Sequence, residues 1–215
     1  MVAVSCWYLW WQRRLIVRDE EVQPPDRTAA AIHVLELNFV KATAKPANTP
    51  RVNHWRRPMS GSLALNVDAS FFEIEHTGSC GAIVRDIGGM FVAASTSKLE
   101  HVADVVSAES AALVEGLKLA LNIGCNSILV QMDNLMVVEV LNLNTGYSMI
   151  SAPILDECRS LLSEFGKVSL EHCNRESNSV AHAPALRGRD DPLSVWLDSP
   201  PSFISLLLGD DISVV

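Results

Sequence analysis

The sequence predicts an α/β protein: a five-stranded mixed sheet, three strands antiparallel and two parallel, with helices on both faces. Three observations predict it. Residues 62–97 hold three strand-like apolar runs, separated by turn residues. A run rich in Ala, Leu and Glu follows at 105–122 and has helical period. After it, short apolar strands alternate with helical segments, which requires parallel pairing through right-handed crossovers.

The elements follow in order. Residues 1–60 read as an N-terminal, Trp-rich helical segment and a linker. Helical character covers Trp7–Val17 and Arg27–Ala44, with the breaker VQPPD between them. Residues 45–61 have no periodicity. The main domain spans 61–187. In its first strand, Leu63–Ser70, Leu63, Leu65 and Val67 take one face, and Ala64, Asn66, Asp68 and Ser70 take the other. Gly78–Arg85 and Met90–Ser97 flank the turn Asp86-Ile87-Gly88-Gly89, a hairpin signature. The helix at 105–122 carries a stripe of Val106, Leu113, Leu117 and Ala120, closed by Gly124. Then come strand Ser127–Asp133, helix Leu135–Leu141, loop 142–151, helix Ile154–Phe165, strand Val168–Asn174 and a short helix Ser177–Leu186. Residues 188–215 read as an irregular, Pro-containing tail.

Composition narrows the function. The chain is 48% hydrophobic and 20% charged, enough for a packed core. The net charge is −8, and residues 60–187 hold seven Lys/Arg against fifteen Asp/Glu. An acidic domain makes a poor general nucleic-acid binder, yet it suits carboxylates gathered around divalent cations. Five scattered cysteines without a CxxC pair indicate neither a disulfide framework nor a zinc site, so an intracellular, reducing location (nucleus or cytoplasm) is expected. The opening apolar run, Met1–Trp11, is too short to span a bilayer, and its positive charges follow it. Neither secretion nor membrane insertion is expected, and the protein reads as a monomer. The tryptophans, mostly N-terminal, read as packing.

Three acidic residues resist a purely structural reading. Asp68 sits on a strand with one fully apolar face; the competing reading is a strand end frayed into solvent. Glu109 falls within the helical stripe, where a charge is rarely buried unless paired or bound; the alternative is a carboxylate reaching out at the helix start. Asp133 ends a strand, where α/β proteins place ligand sites; it could equally cap the next helix. If the first and fourth strands are neighbours, the three could meet at one sheet edge. Close carboxylates need cations, and hard oxygen ligands favour Mg²⁺ or Mn²⁺, two of which form a clamp for displacement at phosphorus. His76, His101 and His172 lack ligand spacing. His182, between two alanines on the last helix, is structural on its own evidence.

Read together, VDAS, GAIVRDIGG, AESAALVEGLKLAL, ILVQMDN and HCNRESNSVAH resemble a type 1 ribonuclease H domain over about residues 55–187. The nearest kind is the plant version found at the end of non-LTR retroelement polyproteins and as free-standing genes. WYLWWQRRLIVRDEEV loosely resembles the Trp-rich helix that precedes such domains. The resemblance implies a mixed five-stranded sheet and metal-dependent hydrolysis of the RNA strand of RNA–DNA hybrids. It implies that Asp68, Glu109, Asp133 and His182 are catalytic residues and ligands of Mg²⁺ or Mn²⁺. It also places Ala69, Ser70 and Asn134 against the nucleic acid, and makes Arg175 and Asn178 residues that hold the last strand to the last helix. Three departures stand out: His182 occupies a position that is Asp in active bacterial members, their mobile loop histidine has no counterpart, and a basic handle is missing. A weakly active or inactive nucleic-acid-binding module is therefore the alternative function, with a retroelement relic as a third reading.

Overall fold

The computed structural model describes residues 2–18, isolated positions between 22 and 32, and residues 55–143, 151–189 and 193–213. The chain divides into two compact units, Met1–Arg51 with Asn144–Ala152, and Val52–Leu143 with Pro153–Val215. In the first unit, α1 runs over Val2–Val17. Its Tyr8 and Gln12, one helical turn apart, are buried and joined by a 3.3 Å hydrogen bond. Trp10 and Trp11 are exposed; the Arg14 guanidinium lies over the Trp10 ring, and the Trp11 ring packs against Tyr8 with centroids 5.6 Å apart. Most of the helix expected at Arg27–Ala44, and most of the loop at 142–151, lie outside the described residues.

The second unit holds β1 (Leu63–Phe72), β2 (Thr77–Arg85), β3 (Phe91–Leu99), α2 (Val105–Asn122), β4 (Ser127–Met132), α3 (Leu135–Leu143) and β5 (Lys167–His172). It also holds α5 (Ser179–Arg187), entered through a 3₁₀ turn at Arg175–Asn178, then β6 (Leu193–Leu197) and α6 (Ser202–Ser213). The helix α4, Ala152–Leu162, begins at the boundary of the two units. The sheet order is β5-β4-β1-β2-β3-β6. Each neighbouring pair along β1-β2-β3-β6 is antiparallel, and β4 runs parallel to β1 and β5.

The expected sheet thus gains a sixth strand, and the tail expected to be irregular supplies both β6 and α6. β6 escapes sequence reading because its alternation is inverted. Trp196 packs edge-on against Phe203 of α6, while Leu193, Val195 and Leu197 are exposed. A strand whose apolar residues face water, entered through Arg-Asp-Asp-Pro, carries no half-buried signature. The hairpin signature at 86–89 holds: the Asp86 carboxylate accepts from the amides of Gly88 and Met90, and Gly89 adopts φ +83°. Lead-in residues also contribute, since Trp55 is only 4% exposed.

Helices cover both faces of the sheet. α2 packs on the face of Leu65 and Val67. Gly116 permits the close approach, because a Cβ there would stand 2.5 Å from Val67 Cγ1. On the opposite face, α5 crosses Gly81, whose Cβ would stand 2.6 Å from the Ala181 carbonyl oxygen. In the last turn of α5, Pro184 O accepts from Gly188 N at 3.0 Å, and carbonyls of this turn also take side-chain donors from the sheet. Thr96 Oγ1 donates to Pro184 O (2.7 Å) and Ser79 Oγ to Ala185 O (2.5 Å), tying the helix to the sheet. Beneath it, Ile83, Ala94, Val180, Ala181, Ile204 and Leu208 form a core cluster. Burying each large aliphatic side chain there contributes about 1.5–3 kcal/mol.

Candidate metal centre

The site lies where two central strands part. The parallel β1–β4 ladder ends at Asn66↔Gln131. β1 continues in register with β2 through Asp68↔Gly81, and β4 continues with β5 through Met132↔His172. The carboxyl ends of β1 and β4 therefore separate, and Asp68 and Asp133 sit at the mouth of the opening. α2 delivers the third group. Asp104 caps its first turn, accepting from Ser107 N at 2.7 Å, and Glu109 follows one turn later.

Asp68, Glu109 and Asp133 each present a carboxylate oxygen such that all three lie within 4.8 Å of one another. Asp68 and Glu109 are buried, at 5% and 7% exposure, and Asp133 is half-buried. Frayed or outward-reaching positions for Asp68 and Glu109 are thereby removed. The helix cap is also settled: Asn134, not Asp133, accepts from Val137 N at 3.2 Å. The Asp133 backbone carbonyl instead accepts from His172 Nε2 at 3.1 Å. His172, set aside for lack of ligand spacing, thus braces the loop that carries Asp133; a partner on a parallel neighbour leaves no local sequence signal.

The electrostatics express crowding. Burial, then the charges of Asp68 and Asp133, push the Glu109 carboxyl up to about 9. Burial also raises Asp68; its hydrogen bond with His182 opposes that, and the Asp133 charge adds to it. Glu109 Oε2 is buried without a hydrogen-bond partner. A buried, unsatisfied carboxylate oxygen is expensive. Three hard oxygen donors with one left unpaired fit a divalent cation of the Mg²⁺ or Mn²⁺ type.

His182 meets this cluster from the other side of the opening. Its Nδ1–H donates to Asp68 Oδ2 at 2.6 Å. Of the residues named from the sequence, Asp68, Glu109, Asp133 and His182 come together. Ala69 and Ser70 continue β1 beyond Asp68, half-buried, and Asn134 is occupied as a helix cap. Asn178 bonds β1 rather than the last strand: its Nδ2 donates to Val67 O at 2.8 Å.

The profile of the family described as reverse transcriptase-like matches residues 66–188. No curated protein sequence matches the chain. Among solved structures, ribonuclease H1 of the archaeon Halobacterium salinarum is similar at TM-score 0.57 and 23% identity, covering 60% of this chain and 98% of that one. The N-terminal ribonuclease H domain of a Mycobacterium tuberculosis protein, solved as a maltose-binding-protein fusion, is similar at TM-score 0.56 and 21% identity, covering 60% and 94%. A ribonuclease H1 isolated from compost by a metagenomic approach, LC11, was solved in complex with an RNA/DNA hybrid; it is similar at 0.55 and 15% identity, covering 60% and 98%. At these identities the likeness is one of fold. The family match covers more than half of the chain, so the chain belongs to the reverse transcriptase-like family and carries a type 1 ribonuclease H-like domain.

Proposed function

We propose that this protein is a divalent-metal-dependent endonuclease that hydrolyses the RNA strand of RNA–DNA hybrids. One observation carries the reading: three carboxylates at the open ends of β1 and β4, each with an oxygen within 4.8 Å of the others', and with Glu109 Oε2 buried and unpaired. The LC11 enzyme, similar in fold, binds an RNA/DNA hybrid. Asp68, Glu109 and Asp133 hold the ion, and Mn²⁺ suits a site bordered by imidazole better than Mg²⁺ does. When bound, the ion supplies charge neutralisation at the reacting phosphate. Asp68 also orients the His182 ring through Nδ1, which leaves Nε2 as the ring atom to meet water or substrate. Ala69 and Ser70 extend β1 along the path of the nucleic-acid backbone, with Ser70 able to donate to a phosphate or a 2′-hydroxyl. The unpaired cysteines support a reducing, intracellular setting. No helix among the described residues is long and apolar enough to cross a membrane.

The test is cleavage of a labelled RNA–DNA hybrid by the purified full chain with Mg²⁺ and with Mn²⁺, beside Asp68→Asn. Cleavage by the wild type alone supports the nuclease. Cleavage that survives Asp68→Asn overturns it. A second reading, a binding module without turnover, is favoured by His182, which engages Asp68 as a hydrogen-bond partner. Hybrid binding unaffected by chelator, with no cleavage in either metal, would select it.

A further inference from the structure

Behind the carboxylates runs a buried polar chain that the proposed chemistry does not use. Arg85 is fully buried on the α5 face of the sheet, and its guanidinium lies 3.8 Å from the centre of the Trp55 ring. Arg85 Nη2 donates to Asn66 Oδ1 at 2.8 Å, and Trp55 Nε1 donates to the same oxygen at 3.2 Å. With Oδ1 occupied by two donors, the Asn66 amide has one orientation, its Nδ2 turned to Asn178 Oδ1 at 3.0 Å. Asn178 is oriented in turn, and its Nδ2 donates to Val67 O. Every bond runs the same way, from guanidinium to amide to amide to backbone carbonyl, so each donor is polarised by the one before it. Asn66 and Asn178 are 0% and 1% exposed, and water does not compete for these bonds.

The spacing gives the chain a consequence. Asn66 and Asp68 are two residues apart on β1, on one face, about 6.6 Å along the strand. Asn178 and His182 are four residues apart at and within α5, about 6 Å along the helix. Strand and helix thus present matched rungs, Asn66 to Asn178 and Asp68 to His182. Fixing the first rung sets the rotation and height of α5 at the second.

We propose that Asn178 is the positioning residue of the site: the chain from Arg85 through Asn66 locks α5 against β1 so that His182 Nδ1 reaches Asp68. Its consequence for turnover rests on the nuclease reading above, whereas the contact itself is tested without metal or substrate. Removing Asn178 leaves Val67 O and Asn66 Nδ2 unpaired in a dry interior and frees the helix start to shift.

The experiment is imidazole ¹H–¹⁵N NMR of the metal-free full chain, with His182 assigned by its loss in His182→Ala. The wild type is expected to show a single His182 tautomer with a protected Nδ1 proton. In Asn178→Ala that proton is expected to exchange into broadness while the backbone spectrum stays folded. If Asn178→Ala does not fold, Asn66→Ala cuts the chain at its middle, leaves the Asn178–Val67 bond, and gives the same readout. Unchanged His182 signals in a folded variant overturn the proposal. Mn²⁺ titration adds a second readout. Asn178→Ala is expected to weaken Mn²⁺ about tenfold, the low end for a residue that orients a metal site, and to have no further effect in the His182→Ala background. Equal weakening in both backgrounds would mean a general loss of packing and would overturn it. A wild type that neither binds Mn²⁺ nor cleaves a hybrid refutes the nuclease reading, and the ring signals still decide this one.

Discussion

Replacing Glu109 with glutamine should stabilise the metal-free protein, and the gain should grow with pH. The carboxyl ordinarily titrates near 4.5, and in the folded site it titrates near 9. Between those values the unfolded chain has released a proton that the folded protein keeps. The unfolded state binds fewer protons, so stability falls as pH rises from about 4.5 to about 9. At pH 7 the gap from the ordinary value is about 2.5 units, which costs the wild type about 3 kcal/mol. Glutamine has nearly the same shape and no charge to bury, so Glu109→Gln recovers up to that amount, roughly 6–12 °C in melting temperature for a chain of this size. The assay is thermal and urea unfolding in EDTA at pH 5, 7 and 9. A variant less stable than wild type at pH 8, or one with the same pH slope, would refute the argument that Glu109 is buried and uncompensated.

Four other outcomes follow from the structure. Mn²⁺ should raise the melting temperature of the wild type more at pH 8 than at pH 6, because binding must displace the Glu109 proton, and EDTA should reverse it; no pH dependence would mean that the ion sits elsewhere. Gly81→Ala should cost about 3 kcal/mol or more in urea unfolding, because the new Cβ meets the Ala181 carbonyl and lifts α5 off the sheet. Trp55→Ala should cost about 3–5 kcal/mol by the same assay, since it empties a buried site and strips the Arg85 guanidinium of its aromatic cover. Asp68→Asn should abolish hybrid cleavage while leaving the circular dichroism spectrum unchanged; retained cleavage would move the chemistry away from this cluster.

Much of this site is legible in the sequence because its residues violate local pattern. Asp68 sits on a strand with an otherwise apolar reverse face, and Glu109 interrupts a helical stripe; both are buried, as that conflict suggests. Asp133 is ambiguous in the sequence because a strand-to-helix junction accepts an Asp for either reason, and only the hydrogen bond of its neighbour Asn134 resolves it. His182 carries no signal as a lone histidine among alanines, and only the family resemblance points to it. The polar chain was out of reach altogether. Trp55, Asn66, Arg85 and Asn178 lie on four segments, and Trp55 falls in a stretch with the composition of a linker. β6 failed for the opposite reason: its residues are apolar, but they point the wrong way.

The central position of β1 decides how the site comes apart. β1 is paired on both edges and covered by α2 and α5. Its amides around Leu65 and Val67 should open only with global unfolding, and should exchange hydrogen slowest of all. Asp68 is thus mounted on the most persistent part of the molecule. Asp133, in the loop after β4, and Glu109, near the start of α2, stand on parts that open more readily. Under mild denaturant, exchange should reach residues 133–134 well before residues 64–68. The centre would then dissolve from two of its three corners inward, with the aspartate on β1 the last to move.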